Sequence, residues 1–372
     1  MGDMIDTTLM IVFTITLIPL TGIIVAITPY LMKKNECFAV TVPEIARNDP
    51  YLGSLKRRYL TIMLVVTAAF TIPSFYLSLV DNEIAFLAFI IAGPLVLCIL
   101  SFVLMLYFRQ KVRLYKKEQN WVAEQQTVIA SISSEETPKA ISLKWNLLYI
   151  PILVVTVAVG LLGYGHMPEV ITIHTGFDGE ANGWMDKSPL VILMPLLIQA
   201  FLILCFLFAH WSILRSKRPM NPSSPATSAL AYGMFARANS TFLLITGLLL
   251  CILMIAFPLS CIGVINLMQA AIAIVIATML IVVGAIAIAV IYGQGGSRVF
   301  SRLQDSPTIL ADNDQFWKLG VFYYNPDDPS LFLLERFGIG WTVNWARPTV
   351  WAIIVGGVVI TVAFVVAMFL FT

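Results

Sequence analysis

One histidine and three carboxylates fall close together in the run PEVITIHTGFDGEANGWMDKSP, Pro168 to Pro189: His174, Asp178, Glu180 and Asp186. Side chains of these types can hold a divalent cation or move a proton. Their spacing fits no established zinc pattern, so the sequence assigns neither a metal site nor a catalytic set, and it requires no cofactor. The same run offers another chemistry. Imidazole, carboxylate, amide and indole groups on a fixed polar loop make a recognition surface, because ordered loops on rigid scaffolds commonly carry binding function. His174, Asp178, Glu180, Asn182 and Trp184 are the candidate ligand-binding residues. The plainer alternative is a lid, in which Thr172 and His174 satisfy backbone groups of the turns and Trp184 anchors at a membrane interface.

Holding these groups in place requires local order, and the run supplies signals for it. EVITIHT alternates Val170, Ile171 and Ile173 with Thr172, His174 and Thr175, loosely as a strand does. Asp178-Gly179 and Asn182-Gly183 are turn dipeptides. Ser188-Pro189 reads as a helix start, with the serine as cap and the proline in the first turn. The expectation is a short extended piece, a double turn and direct entry into a helix.

The rest of the chain is apolar. Of 372 residues, 59% are hydrophobic and 12% charged, whereas soluble domains carry about a quarter charged residues. An integral membrane protein follows. Eight segments reach the length of about 20 apolar residues that a bilayer crossing needs. They run over Thr8–Met32, Tyr59–Val80, Ile84–Phe108, Trp145–Gly163, Pro189–Leu214, Ser240–Leu259, Ile265–Tyr292 and Thr349–Phe371. The N-terminal MGDMIDTTLM lacks the basic region of a cleaved signal peptide, so its apolar run is expected to stay as a span. Cys37, Cys98, Cys205, Cys251 and Cys261 form no CxxC pair, and neither a disulfide framework nor a thiolate metal site is expected.

The net charge of +2 says little about partners, but its placement orients the chain. Twenty-two of the 23 lysines and arginines fall in the loops 33–58, 109–144, 215–239 and 293–348, and Lys187 stands alone in 164–188. These four loops alternate with the rest in an eight-span arrangement. By the positive-inside rule they are cytoplasmic, and both termini and the loop 164–188 are outside. No Asp, Glu, Lys or Arg lies near the middle of a span, which argues against transport coupled to protons or sodium. Gln199 is expected to make an interhelical hydrogen bond, and His210 to sit at an interface. Pro19, Pro73, Pro94 and Pro195 are expected to kink or loosen their helices.

Three further segments carry motifs. In FAVTVPEIARNDPYLGSLKRRYL, Asp49-Pro50 reads as the cap and first turn of a helix continuing into the second span. That places Lys56, Arg57 and Arg58 at the inner interface, near anionic headgroups. The cluster is too short, and too poor in aromatics, to suggest direct nucleic-acid binding. In FWKLGVFYYNPDDPSLFLLERFGIGWTVNWARP, strand-like runs flank an Asn325–Pro329 turn, and Asp327 and Asp328 offer too few oxygens for Mg²⁺ or Ca²⁺. YGQGGSR, Tyr292 to Arg298, lacks the ending of a phosphate loop and is expected to be a flexible exit from the seventh span.

MPEVITIHTGFDGEANGW resembles the signature of a family of bacterial membrane domains found in SdpI-type proteins, at Met167, Pro168, Glu169, Ile171, His174, Gly179, Glu180, Asn182, Gly183 and Trp184. Thr172 stands where that pattern commonly has proline, and Gly176 where it commonly has asparagine. The segments beginning at Phe38 and Phe316 resemble a loop and a C-terminal domain of larger relatives. The resemblance implies a bacterial plasma-membrane protein. Its best-understood relatives give immunity to a secreted toxic peptide and can signal by holding a transcriptional repressor at the membrane.

The expected architecture is an all-α bundle of eight spans with both termini outside, an ordered external loop and a small β-containing cytoplasmic unit. Three regions follow: 1–144 with three spans, 145–264 as the SdpI-like module, and 265–372 with the last two spans and the cytoplasmic unit 293–348. The expected function is non-enzymatic immunity or sensing of a membrane-active peptide or lipid-like ligand from outside, with the lipid bilayer and a cytoplasmic regulator as partners. A transporter or exporter of an apolar solute is the alternative, and a membrane enzyme using His174 a more distant one. In a cysteine-free background on whole cells, an impermeant thiol reagent should label Asn182→Cys and spare Asp327→Cys. The reverse pattern would invert the orientation.

Overall fold

The computed structural model describes residues 2–33, 35–80, 83–121, 137–175, 181–218, 221, 224–303 and 313–371. Along the chain come α1 (Gly2–Leu31), β1 (Glu36–Cys37), β2 (Val40–Thr41), α2 (Pro50–Leu79), α3 (Glu83–Glu118), α4 (Tyr149–Gly163), β3 (Val170–Thr175), β4 (Ala181–Asp186), α5 (Leu190–Arg215), α6 (Pro225–Leu253), α7 (Ala256–Cys261), α8 (Leu267–Tyr292), α9 (Ser297–Leu303), β5 (Trp317–Lys318), β6 (Phe322–Tyr323), β7 (Phe332–Leu334), β8 (Trp341–Val343) and α10 (Pro348–Phe371). Among the described residues, eight helical stretches are long and apolar enough to cross a membrane, so the chain is a multi-pass α-helical membrane protein. Several outrun their apolar cores. α2 opens at Pro50, where Asp49 Oδ1 accepts from the amides of Tyr51 at 2.8 Å and Leu52 at 3.0 Å. This is the cap expected from Asp49-Pro50. The start of α5 differs from expectation. Pro189 occupies the cap position, and the Ser188 carbonyl, not its hydroxyl, takes the amide of Val191.

Packing divides the chain into two compact units that interleave in sequence. The first takes 1–137, 217–235 and 289–346; the second takes 138–216, 236–288 and 347–372. Between lipid-immersed helices the hydrophobic effect gives no net drive, so close packing and buried hydrogen bonds hold them. In the first unit Tyr59 of α2 bonds the Val25 carbonyl of α1 at 3.2 Å and Ser101 Oγ of α3 at 2.6 Å. In the second, Gln199 Nε2 of α5 donates to Thr156 Oγ1 of α4 and to the Cys251 carbonyl of α6, both at 2.8 Å. The interhelical bond expected of Gln199 is therefore present, twice. His210, expected at an interface, is only 1% exposed. Its ring bonds Asn146 at 2.9 Å and the Ile141 carbonyl at 2.8 Å, and these partners draw it inward.

The strands of the first unit are short and depend on side chains for their shape. β1 and β2 pair antiparallel through a tight turn at Phe38 and Ala39. β5 pairs with β6 and β7 with β8, and Tyr323 bridges to Asn344 between the two pairs. Asn344 Nδ2 donates to the Asn325 and Asp328 carbonyls, closing the NPDDP turn. Within that turn Asn325 Oδ1 accepts from the amide of Asp327, and Asp328 accepts from the amide of Ser330, Tyr323 Oη and Lys217 Nζ. Both side chains thus act in the turn, as their types suggest.

The YGQGGSR exit is a clip and not a flexible joint. Gln294 is buried, donates to the carbonyls of Glu335 and Gly340, and accepts from the amide of Gly340. The glycines allow this close approach. Gly296 has φ +81, and a Cβ there would overlap the Ala231 carbonyl. Gly296→Ala should therefore lower the melting temperature of the purified protein by several degrees, whereas Gly356→Ala, which meets open space within α10, should leave it unchanged. Equal shifts would remove the clip.

Candidate functional site

The segment singled out by its polar residues is a β-hairpin. β3 and β4 pair antiparallel, with Val170 opposite Asp186, Ile171 opposite Met185 and Thr172 opposite Trp184. Strand alternation gives the hairpin two faces. On one, Ile171 is buried in an apolar cluster with Met167, Val191 and Cys261, and Met185 and Tyr164 pack against it. On the other lie Val170, Thr172, Trp184 and Asp186, with Trp184 57% and Val170 54% exposed.

The ladder slips between Thr172 and Thr175, where His174 faces Gly183 and Thr175 faces Ala181. Asn182 and Gly183, expected as a second turn, therefore run inside β4. The register imposed by buried Ile171, opposite the packed Met185, overrides the turn preference of the dipeptide, and a glycine opposite a bulge crowds nothing. Of the candidate residues, the structure thus brings the backbones of His174, Asn182 and Trp184 into one hairpin. The side chains of His174 and Asn182, and all of Asp178 and Glu180, lie outside the described residues.

The base of the hairpin is clamped by Lys187, the lysine that stands alone in its loop. Its Nζ donates to the Met167 carbonyl at 2.9 Å, lies 3.6 Å from the Glu169 carboxylate and sits 5.3 Å above the Tyr164 ring. Its amide donates to the Glu169 carbonyl at 2.8 Å. The exposed Trp184 face is therefore carried on a fixed base.

Sequence reasoning missed a second polar centre, in the first unit. Arg109, near the end of α3, and Arg336, between β7 and β8, both donate to the Ala39 carbonyl. Arg109 also donates to the Trp317 carbonyl at 3.2 Å. Arg336 donates to Asp314, Asn313 and Thr41 Oγ1, and stacks 5.0 Å from the Trp317 ring. Asp314 further accepts from Lys116 at 3.1 Å and from Thr41 Oγ1 at 2.8 Å. Gly320 permits the approach of Arg109, since a Cβ there would come within 3.0 Å of its Nη1. The partners are far apart in sequence, so no local spacing announces them. The one available signal was an arginine inside the strand-like run LFLLERFGIGW.

This centre sets the charge states around it. Burial by itself raises the Asp314 carboxyl, but Arg336, Lys116 and Thr41 outweigh it and bring the pKa down to about 2. Glu335 has no such compensation among the described residues, and burial pushes its carboxyl up to about 7. An acid whose folded pKa exceeds its unfolded value destabilises the fold as it ionises. Stability should therefore fall as pH rises from about 4.5 to about 7. Glu335→Gln should flatten thermal stability across that window, and an unchanged slope would assign the dependence elsewhere.

Residues 152–198 match the model of a domain of unknown function (DUF1648), and residues 326–351 match that of a family of unknown function (DUF5808). The first match runs from within α4 through the hairpin into α5; the second starts inside the NPDDP turn, at Pro326, and covers β7, β8 and the start of α10. No curated protein and no solved structure matches the chain.

Proposed function

We propose that this protein is a non-enzymatic component of a bacterial plasma membrane that recognises a membrane-active peptide or lipid-like ligand through the outer face of the β3–β4 hairpin. The observation that carries the reading is the division of labour within that hairpin. Ile171 and Met185 fix one face in the protein, Lys187 clamps the base, and Trp184 remains exposed on the other face. A rigid indole takes a large contact area with little loss of rotamer freedom, which suits it to be an anchor. Carboxylates at Glu169, Asp178, Glu180 and Asp186 outnumber the single lysine, and they favour a cationic amphipathic peptide. In this reading the hairpin is external, as the lysine and arginine distribution implies. The arginine-centred region with the 313–346 segment is cytoplasmic and is where a regulator would dock.

The test uses a synthetic cationic amphipathic helical peptide against bacteria producing the full chain. Trp184→Ala should reduce protection on the order of ten-fold, the scale of losing an interface anchor, with production and melting temperature unchanged. Ile171→Ala should lower the melting temperature. If Trp184→Ala loses stability in proportion to protection, the hairpin is a lid and the recognition role falls.

A further inference from the structure

A pocket of about 570 Å³ lies in the first unit between one face of α3 and the 314–319 segment. Its charged lining is Arg109, Arg113, Lys117 and Lys318 against one carboxylate, Asp314. That carboxylate is already committed to Arg336, Lys116 and Thr41. Arg109 is fully engaged too, but by the carbonyls of Ala39 and Trp317, which bring no negative charge. Arg113, Lys117 and Lys318 have no carboxylate partner among the described residues, and Lys318 reaches only the Gln315 carbonyl at 3.3 Å. The pocket therefore holds an excess of positive charge that no carboxylate among the described residues neutralises. Trp317 lines it as well, with only 4% of its surface exposed.

The apolar lining says where the counter-charge comes from. The α3 contribution runs from Leu106 to Lys117, a rise of about 16 Å at 1.5 Å per residue. Leu106 belongs to the apolar span, whereas Arg113 and Lys117 lie beyond it. Leu114 and Leu319 add apolar surface beside the cations. Such a groove passes from hydrocarbon to a basic mouth, where the anionic headgroups of a membrane surface are found. Guanidinium groups suit phosphate because their planar donor fork matches its oxygens.

We infer that this pocket binds an anionic phosphate ester, with Arg113, Lys117 and Lys318 meeting the phosphate and the ring of Trp317 forming part of the wall. The chemistry is shared by a phosphatidylglycerol headgroup and by a soluble glycerol phosphate; the apolar floor at Leu106 favours the lipid. The inference is independent of the hairpin and of its ligand.

The full chain, purified in uncharged detergent, is titrated with phosphatidylglycerol, with phosphatidylcholine and with glycerol 1-phosphate, and its melting temperature is followed. Phosphatidylglycerol should raise it saturably, and phosphatidylcholine should not. The triple variant Arg113→Gln, Lys117→Gln, Lys318→Gln should need at least ten-fold more phosphatidylglycerol for the same rise. A control removing the same charge from exposed positions of the second unit, Lys139→Gln, Lys144→Gln, Arg215→Gln, should behave as the unaltered protein. Glycerol 1-phosphate without effect identifies the lipid as the source, and an equal rise identifies the free ester; either supports the site. No rise with any phosphate, or equal loss in the two triple variants, would overturn it.

Discussion

Two like-charged guanidinium groups converge on one backbone carbonyl, that of Ala39, and the first unit is arranged around the need to keep them there. The carbonyl is presented by a turn in which Phe38 and Ala39 have φ values of 44 and 58. A side-chain-bearing residue in that region costs about 1–2 kcal/mol, and tight two-residue turns of this kind ordinarily use Asn-Gly. The strain is sustained by what each residue gains. Phe38 is fully buried, stacked 5.1 Å from Phe108 and edge-on to Tyr59 at 5.6 Å. Ala39 takes two charge-assisted hydrogen bonds. Asp314 makes the repulsion between the arginines tolerable, and Glu36 lies 3.9 Å from the Arg336 Nε. Removing one partner of such a buried set costs about 3–5 kcal/mol because the other is left charged and unpaired.

The helices themselves are held more lightly. Tyr59 ties α1, α2 and α3, and Gln199 ties α4, α5 and α6. Each such hydrogen bond contributes about 0.6 kcal/mol in a membrane, so they select partners and register more than they supply stability. The ends of the helices carry the stronger constraints: the Asp49 cap, the Gln294 clip, the Lys217–Asp328 pair and the arginine centre. Order in this protein is concentrated where the apolar runs stop.

That distribution explains what could be read from the sequence. The spans were legible because crossing a bilayer needs only a long apolar stretch, a local property. Asp49-Pro50 was legible for the same reason, since cap and first turn are neighbours. The strand at 170–175 was visible in its alternation, and Gln199 stood out as an amide in hydrocarbon. Asn182-Gly183 misled, because its turn preference is smaller than the burial that fixes Ile171 opposite Met185. His210 and Gln294 misled because their partners lie far along the chain: Asn146 for the one, Glu335 and Gly340 for the other. Phe38-Ala39 gave no turn signal at all. Its conformation follows from Arg109 and Arg336, which no window around it contains.

The interleaving of the two units also sets a timetable for synthesis. The Trp317 carbonyl that Arg109 binds lies 208 residues further along the chain. At about 5–20 residues per second, the arginine waits about 10–40 s for it. Throughout that interval Arg109 has the Ala39 carbonyl but no later partner, and it opens the basic end of α3 that Lys111, Arg113, Lys116 and Lys117 continue, charges that are costly to draw into hydrocarbon. The residue that later closes the finished structure thus first serves as a stop that keeps the third helix from sliding through the membrane.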